Sequence, residues 1–287
     1  MAALPLLFEP RRRSQGHAPA VTRWGHAGAT TPWGWASAGV LLGLLVSVLL
    51  FAPARWLADL VHLGSNGRLL LQDARGTLWR GSARATLTGG AGSPDSATLP
   101  GRLSWQLWPS VNTQDVGLSL ALQSSCCLPT AWVWRLSAGW DGLHAVASDH
   151  QSQWPAQWLA GLGTPWNTLQ MQGQLTLGTQ SLHLRWASGR LLMAGAAQLE
   201  AHDLSSRLST LQPMGSYRLA LSGGQTPELL LSTLSGKLQL SGRGQWVGGK
   251  LRFVGEASAA PESQAALSNL LNIIGRRNGA RSAINVG

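Results

Sequence analysis

The stretch from Gly25 to Ala54 contains no Asp, Glu, Lys or Arg, and no other feature of the sequence constrains the fold as strongly. Its centre, Ala38–Phe51, consists almost wholly of Val, Leu, Gly and Ala. As a helix, Trp35–Phe51 would span about 26 Å, and the flanking residues extend the segment to the thickness of the hydrocarbon core of a bilayer. The sequence therefore predicts a transmembrane signal anchor over residues 34–54.

The tripeptide Ala52-Pro53-Ala54 has the small-x-small pattern of a cleavage site, so a cleaved signal peptide is the main alternative. Two observations favour an uncleaved anchor. The apolar run is longer than the roughly 7–15 residues of a signal peptide, and about thirty residues precede it. An uncleaved segment would keep the rest of the chain attached to the membrane.

Basic residues before the apolar segment predict its orientation. Four arginines precede it, at positions 11–13 and 23, whereas Glu9 is the only acidic residue there. Basic flanks stay on the cytoplasmic side of a membrane. We therefore expect a cytoplasmic basic tail at residues 1–33 and an exported domain at residues 55–287.

The exported part is long enough for one sizeable domain. Charged residues make up only 12% of the chain, and abundant Gly, Ser, Thr and Gln alternate with Leu, which is typical of sheets. Beyond the anchor, eighteen Lys and Arg stand against eleven Asp and Glu, but they are dispersed. No dense basic run with interleaved aromatic residues is present, so nucleic acid is not an expected partner. An excess of Arg near a membrane could meet anionic lipid head groups, so membrane lipid is an expected partner, although a solvated sheet face explains the charges without one.

Apolar residues alternate with polar ones through most of the exported part, as they do in strands that have one apolar face. Gly-containing breaks such as Leu221–Gly224 and Val247–Lys250 separate the runs, as hairpin turns do. The fold class predicted is mainly β, with an extended, curved antiparallel sheet that has an apolar concave face; a closed barrel fits the pattern equally. The runs include Leu103/Trp105/Leu107, Leu118/Leu120/Leu122, Leu175/Leu177, Leu182/Leu184/Trp186, Tyr217/Leu219/Leu221, Leu238/Leu240 and Leu251/Phe253.

Three short helices are expected in addition. After Pro53, helical spacing from Trp56 to Val61 predicts a helix near the membrane surface or a continuation of the anchor. A second helix is predicted at Pro155–Leu162. A C-terminal helix at about 261–275 begins with a proline, ends at a glycine and places four apolar residues on one face.

Sequence motifs for catalysis are missing: there is no Walker loop, HExxH helix, nucleophile elbow or complete dinucleotide fingerprint. Catalytic residue types come closest together between Asp141 and His150. Asp141, His144 and Ser148 could form a hydrolase site, but a polar loop or strand face explains them without one. We therefore expect no catalytic, cofactor-binding or metal-ligating residues, no cofactor and no small-molecule substrate.

Fifteen tryptophans are unusual for this length, and with only three Phe they must supply much of the large core surface. Some could instead line an apolar groove for an acyl chain or a partner strand, because the apolar face of a sheet must be covered by something. The residues predicted for such contacts are Trp79, Trp105, Trp166, Trp186 and Trp246.

The two cysteines, Cys126 and Cys127, are adjacent, which excludes a CxxC pair and a four-cysteine zinc site. A disulfide between the two neighbours and a reduced pair in a loop are both consistent with the sequence. Disulfides to a partner protein are a third interpretation.

Several segments together resemble the type II secretion system protein N family of Gram-negative bacteria. The first is Gly76–Gly81, Gly-Thr-Leu-Trp-Arg-Gly, with Ala83 after it. The longest runs from Gly215 to Ala257. The matching segments also include Leu103–Trp105 with Pro109, Gly163–Leu169, Leu267–Leu271 and Ile274–Arg277.

The resemblance implies a single-pass protein of the cell inner membrane, with its N-terminus cytoplasmic and its β-rich domain periplasmic. It implies a non-enzymatic accessory or scaffold component of the machinery that exports folded proteins across the outer membrane. Expected partners are other secretion subunits, in the inner-membrane platform or the secretin. The alternative is a periplasmic lipid-binding groove protein of the inner membrane, which is an analogy at the level of the fold.

Overall fold

A computed structural model of the chain describes residues 33–111, 116–247 and 250–287. The chain divides into two units between Val46 and Ser47. The four arginines from which the orientation was predicted, and the glycines at 248 and 249 of one predicted turn, lie outside the described residues.

The first helix, α1 (Trp33–Leu50), is the apolar segment found in the sequence, and none of its residues is buried. Its length and composition suffice to cross a membrane. The apolar part of a signal sequence meets the same criteria, so α1 by itself does not distinguish an anchor from a signal peptide.

The second helix, α2 (Ala54–Gly64), begins directly after Pro53, whose backbone is extended. A proline has a fixed φ and no N–H to donate, which separates the two helices. The short helix predicted after Pro53 is therefore a separate element rather than a continuation of α1. Leu57 packs toward the sheet, whereas Trp56 and Leu60 are exposed.

The rest of the described chain is mostly strand, and its strands form one large antiparallel sheet, which confirms the predicted fold class. Two 3-10 helices, Ala156–Leu162 and Pro261–Ser263, and two α-helices, α3 (Trp166–Leu169) and α4 (Gln264–Ile274), interrupt it. The strands are β1 (Leu69–Gly76), β2 (Arg80–Thr88), β3 (Ser96–Thr98), β4 (Leu103–Val111), β5 (Val116–Ser124), β6 (Leu128–Gly139), β7 (Gly142–Ala147), β8 (His150–Pro155), β9 (Gln172–Ala187), β10 (Arg190–Ser205), β11 (Gly215–Gly224), β12 (Glu228–Gly236), β13 (Leu238–Val247), β14 (Lys250–Ala259), β15 (Arg276–Asn278) and β16 (Arg281–Val286).

The sheet is open. Its order is β1-β2-β4-β5-β6-β7-β9-β10-β11-β12-β13-β14-β16-β15, with β3 paired to β2 and β8 to β9. Among the described residues the terminal strands β1 and β15 do not pair with each other, so the barrel alternative is wrong. Most neighbours in the sheet are also neighbours in the chain, because short turns pair each strand with the one before it.

Two local predictions differ from the structure. The runs Leu175/Leu177 and Leu182/Leu184/Trp186 belong to one strand, β9, rather than two. The register shifts between them, and Ser181 has a positive φ of 45°. This bulge moves the apolar residues from odd to even positions without ending the strand. The segment after Pro155 is a 3-10 helix rather than an α-helix.

The two ends of the sheet differ in their connections. The C-terminal ends of β1, β4, β6, β9, β11 and β13 lie at one end of the sheet, which we call the tip end. The opposite end, the base end, receives the connections that contain the 3-10 helices, α3 and α4. The helices that connect strands of the sheet therefore lie at the base end.

The main hydrophobic core lies at the base, on the apolar face. Leu267, Leu270 and Leu271 of α4 are at most 1% exposed and pack with Tyr217 and Leu238 of the sheet. Burial of a leucine side chain contributes about 1.5–3 kcal/mol relative to exposure. The C-terminal segment expected at about 261–275 thus forms the 3-10 turn followed by α4.

Candidate functional site

The turn between β1 and β2 binds the chain that follows α1. The backbone N–H of Leu78 donates to the carbonyl oxygen of Ala52 over 2.7 Å, and Pro53 forms a β-bridge with Thr77. The indole N–H of Trp79 donates to the carbonyl oxygen of Leu49 over 2.8 Å. Since the last four carbonyls of a helix have no partner within the helix, this bond caps α1. We call Thr77–Trp79 with its contacts the junction.

A buried tryptophan of the neighbouring strand β4 packs against the junction and forms a hydrogen bond with it. Trp105 of β4 is 2% exposed, and its indole N–H donates to the carbonyl oxygen of Leu78 over 3.0 Å. Gly81 leaves room for this ring, since a Cβ there would lie 2.5 Å from Trp105 Cζ2. Within the Gly-Thr-Leu-Trp-Arg-Gly segment, Gly81 makes room for the buried ring of Trp105, and Trp79 donates the hydrogen bond to Leu49. Both residues are therefore explained by the junction.

The suspected cleavage tripeptide is part of the same contact. Ala52 and Ala54 are each 1% exposed, and Ala54 packs with Ala83 and Trp105. Small side chains are required here because the chain passes close to β2. The small-x-small pattern thus has a packing explanation that needs no peptidase.

The five tryptophans predicted to form contacts do not line one groove. Trp79 and Trp105 belong to the junction. Trp186 and Trp246 lie near the tip end on the apolar face, Trp186 on β9 and Trp246 on β13. Trp166 begins α3 at the base and is 37% exposed.

A row of apolar side chains crosses the sheet at the tip end and is exposed. Paired residues on adjacent strands point to the same face, and the pairing links this row from β4 through β5, β6, β7 and β9 to β10. Excluding the exposed Ala138, its members are 51–76% exposed. We call it the apolar tip row; it consists of Val111, Val116, Ala138, Leu143, Trp186 and Leu191.

Sequence reasoning missed most of this row and selected only Trp186. It also grouped Trp140 with the core-filling tryptophans, whereas Trp140 stands fully exposed in the turn between β6 and β7. One sequence signal could have predicted their exposure. These apolar residues lie at or near the ends of strands that short connections join, and a short connection contains no helix that could cover them. Val111, for instance, is the last residue of β4, and its partner Val116 is the first residue of β5.

The acidic group beside this row is paired. Asp141 contacts His144 Nε2 at 2.9 Å and Arg185 at 3.2 Å. The hydrogen bond with His144, followed by that with Arg185, holds the pKa of Asp141 below its ordinary value against the opposing effect of desolvation. The carboxylate is therefore charged at neutral pH, and the guanidinium of Arg185 balances its charge.

The same geometry bears on the hydrolase hypothesis. Ser148 lies four residues beyond His144 in the chain, about 13 Å along an extended strand. Its hydroxyl accepts the backbone N–H of Val133 over 3.2 Å. His150 instead stacks on Trp132, with ring centroids 5.7 Å apart, and burial lowers its pKa. Asp141, His144 and Ser148 do not form one site.

Among the described residues, neither the cavities nor any cluster of metal-ligating side chains indicates a catalytic site. A depression of about 330 Å³ is lined mostly by small and polar residues of β9, β10 and β11. A second, of about 520 Å³, lies at the junction and is lined by Leu50, Trp79 and Trp108 among others. No group of three or more His, Cys, Asp or Glu side chains there is arranged to hold a metal ion.

The adjacent cysteines lie in the turn between β5 and β6 and are joined by a disulfide. Cys127 is 1% exposed and packs with Ala85 and Leu99, whereas Cys126 is exposed. The pair thus fixes one turn at the base end rather than linking distant strands.

Comparison with protein families gave one match: the sequence model of the family described as type II secretion system (T2SS), protein N, matches residues 67–285. The chain belongs to this family. The resemblance drawn from the sequence is thereby confirmed, and the family is a component of a secretion system rather than a known enzyme family. Neither the curated proteins nor the solved structures gave a match.

Proposed function

We propose that the protein is a non-enzymatic accessory subunit of the type II secretion machinery. It spans the inner membrane once through α1, with its N-terminus cytoplasmic and its sheet domain periplasmic. The observation that carries this proposal is the junction. The Gly76–Gly81 segment lies within the family match and binds Leu49 and Ala52, so the sheet domain is attached directly to the end of the anchor.

The sheet supplies the surface for partner subunits. Its terminal strand β15 is exposed at all three residues and carries Arg276 and Arg277. An exposed edge strand accepts a further strand from another protein. We propose that a strand of a platform subunit or of the secretin adds there, and that acidic side chains of that strand meet the two arginines.

A non-enzymatic role agrees with the geometry of the described residues. The cluster of catalytic residue types divides into the Asp141–His144 pair and a Ser148 hydroxyl engaged by the backbone. A scaffold needs a fixed position and a contact surface, and the junction and the sheet edge provide these.

The proposal is tested by deleting the gene and measuring export of type II substrates and assembly of the secretin. We expect both to fall, and the full chain to restore them. A variant in which residues 1–51 are replaced by a cleavable signal peptide should not restore export, whereas one that carries an unrelated single-pass anchor should. Normal export and normal secretin assembly in the deletion strain would contradict an accessory role.

A second candidate function is lipid binding on the apolar face. Leu177, Leu199, Leu219 and Leu231 form a half-buried row across β9 to β12, on which an acyl chain could lie. Native mass spectrometry of the full chain released from mild detergent tests it. A stoichiometric lipid would support this candidate, and a lipid-free protein would remove it.

A further inference from the structure

An irregularity in β1 turns an acidic side chain toward a group of arginines. The register with β2 shifts between Gln72 and Arg75, and Asp73 has a positive φ of 52°. An extra residue of this kind is a β-bulge, which redirects a side chain. Ala74 packs into the hydrophobic cluster that includes Trp105, whereas the carboxylate of Asp73 contacts arginines.

Three guanidinium groups converge on one oxygen of this carboxylate. Oδ2 of Asp73 lies 2.8 Å from Nη1 of Arg102 and 3.1 Å from Nη2 of Arg75. Nη2 of Arg84, on β2, lies 3.9 Å from the same oxygen. We call Asp73, Arg75, Arg84 and Arg102 the arginine cluster. Since it holds three positive charges and one negative charge, two positive charges are in excess.

The arginines of the cluster are not held equally. Nε of Arg102 donates to the hydroxyl of Ser82 over 3.1 Å, and its Nη2 donates to the carbonyl oxygens of Asp73 and Ser82. The side chains of Arg75 and Arg84 are 70% and 58% exposed. A separation of 3.9 Å is too long for a hydrogen bond, so Arg84 adds charge to the cluster without donating to Asp73.

This arrangement suits a phosphate group. The charge of Asp73 is balanced by Arg102, which lies closest to it, so Arg75 and Arg84 supply the excess. Guanidinium groups form paired hydrogen bonds with phosphate oxygens. A phosphomonoester carries about −1.5 to −2 charges at neutral pH and has three acceptor oxygens. Its charge therefore matches the excess of the cluster.

We propose that the arginine cluster is a binding site for a phosphate group, which Arg75 and Arg84 contact directly while Arg102 holds Asp73 in place. A soluble phosphomonoester and the head group of a phosphomonoester lipid present the same atoms to the site. The site lies within the sheet domain, so the inference does not depend on the membrane placement proposed above.

The test uses the full chain in a mild neutral detergent and two probes that carry the same phosphate. Glycerol 3-phosphate is the soluble probe, and equilibrium dialysis measures its binding. Phosphatidic acid is the lipid probe, and native mass spectrometry compares it with phosphatidylcholine of the same acyl chains.

Arg84→Gln is the test variant. Arg135→Gln is the matched control, because Arg135 is exposed on β6 and lies on the same face of the sheet, as the pairing of β2 with β4, β5 and β6 shows. We expect at least one probe to bind, and Arg84→Gln to weaken its binding about tenfold, as the loss of a charged hydrogen bond does. Arg135→Gln should leave the affinity unchanged.

The two probes distinguish the source of the phosphate. Binding of glycerol 3-phosphate would assign a soluble ligand to the site, and binding of phosphatidic acid alone would assign a lipid. Failure of both probes would overturn the inference and leave the cluster as an internal network of ion pairs. Equal binding of both lipids, without binding of glycerol 3-phosphate, would also overturn it, because the acyl chains would then be recognised.

Equal losses in Arg84→Gln and Arg135→Gln would overturn the inference in favour of unspecific attraction to a basic chain. Circular dichroism checks that each variant is folded. Arg75→Gln is a second test variant, since the Arg75 side chain is the most exposed of the cluster. Unchanged affinity in both folded test variants would contradict the proposed contacts.

Discussion

The base end and the tip end of the sheet share one apolar face but have opposite surroundings. At the base, Leu267, Leu270 and Leu271 of α4 are at most 1% exposed against the sheet. At the tip, Leu143 and Leu191 continue the same face and remain more than half exposed. Alternation in the sequence decides which side chains share a face, and the connections decide which of them are covered.

This difference follows from where the helices are inserted. Base connections contain α3, α4 and the 3-10 helices, whereas the described tip connections are short turns. A short turn reverses the chain without supplying a covering element. The apolar residues at the tip therefore remain exposed among the described residues, and this contrast with the base can be tested residue by residue.

The largest effect is expected for Leu271→Ala at the base, because the leucine is fully buried. We expect a loss of about 2–5 kcal/mol in the free energy of unfolding. Leu143→Ala at the tip should change it by no more than about 0.5 kcal/mol. Urea unfolding of the full chain in mild detergent measures both, and equal losses would contradict the contrast.

A smaller effect is expected for the two tryptophans at opposite extremes of burial. Trp105→Phe removes buried volume and the hydrogen bond to Leu78, so we expect a loss of about 2 kcal/mol. Trp140→Phe should be close to neutral because Trp140 is fully exposed. Unfolding followed by circular dichroism avoids the change in fluorescence. The junction would lose its assigned importance if Trp105→Phe were also neutral.

Tyr217→Phe isolates one polar contact within the base core. The buried hydroxyl donates to the carbonyl oxygen of Leu238 over 3.1 Å, and burial raises its pKa. Loss of this bond should cost about 1 kcal/mol. Ser104→Ala, which removes an exposed bond to the carbonyl oxygen of Gln123, is the control and should cost less. Urea unfolding of both variants measures the two losses in the free energy of unfolding. A loss for Ser104→Ala equal to or larger than that for Tyr217→Phe would contradict the prediction.

The smallest effect concerns pH and a surface carboxylate near the junction. Hydrogen bonds from Arg102 and then Arg75 hold the pKa of Asp73 below its ordinary value. Its stabilising contribution is therefore present above the unfolded pKa, about 3.9, and is lost as the pH falls through the lower folded value. Arg102→Gln should reduce the loss of stability on acidification below about pH 4.

Denaturation midpoints at pH 6 and pH 3 measure this difference. Asp73→Asn, which cannot titrate, is the matched control and should also lose less stability on acidification than the unaltered chain. An unchanged pH dependence in both variants would show that Asp73 is not linked to folding.

Much of the fold could be predicted because its signals are local. Period-two alternation identified six of the sixteen strands of the described residues, namely β4, β5, β9, β11, β13 and β14. Pro261 and Gly275 marked the limits of the segment that contains α4. The continuous strand β9 was not predicted because the bulge at Ser181 reverses the alternation without a turn residue. Pairing across the sheet is needed to see that the apolar residues of both halves of β9 lie on the same face, where Leu175 and Leu182 belong to two different core clusters.

The candidate site was less predictable because it depends on contacts distant in sequence. Trp79 was selected for its type, but its bond to Leu49 thirty residues earlier cannot be inferred from spacing. The exposure of Leu143 and Leu191 depends on the absence of a covering helix, which alternation does not encode. Family resemblance marked the Gly76–Gly81 segment without indicating what it holds.

The order of strands has a consequence for how the domain is made. Nearly every strand pairs with the one before it, so its contacts are short in sequence and form quickly. In the membrane placement proposed above, the chain emerges with its N-terminus held, and it can therefore add hairpins one after another to a growing edge. Its last segments, α4 and β16, then complete the core at the base. Translocation and folding can proceed in the same direction.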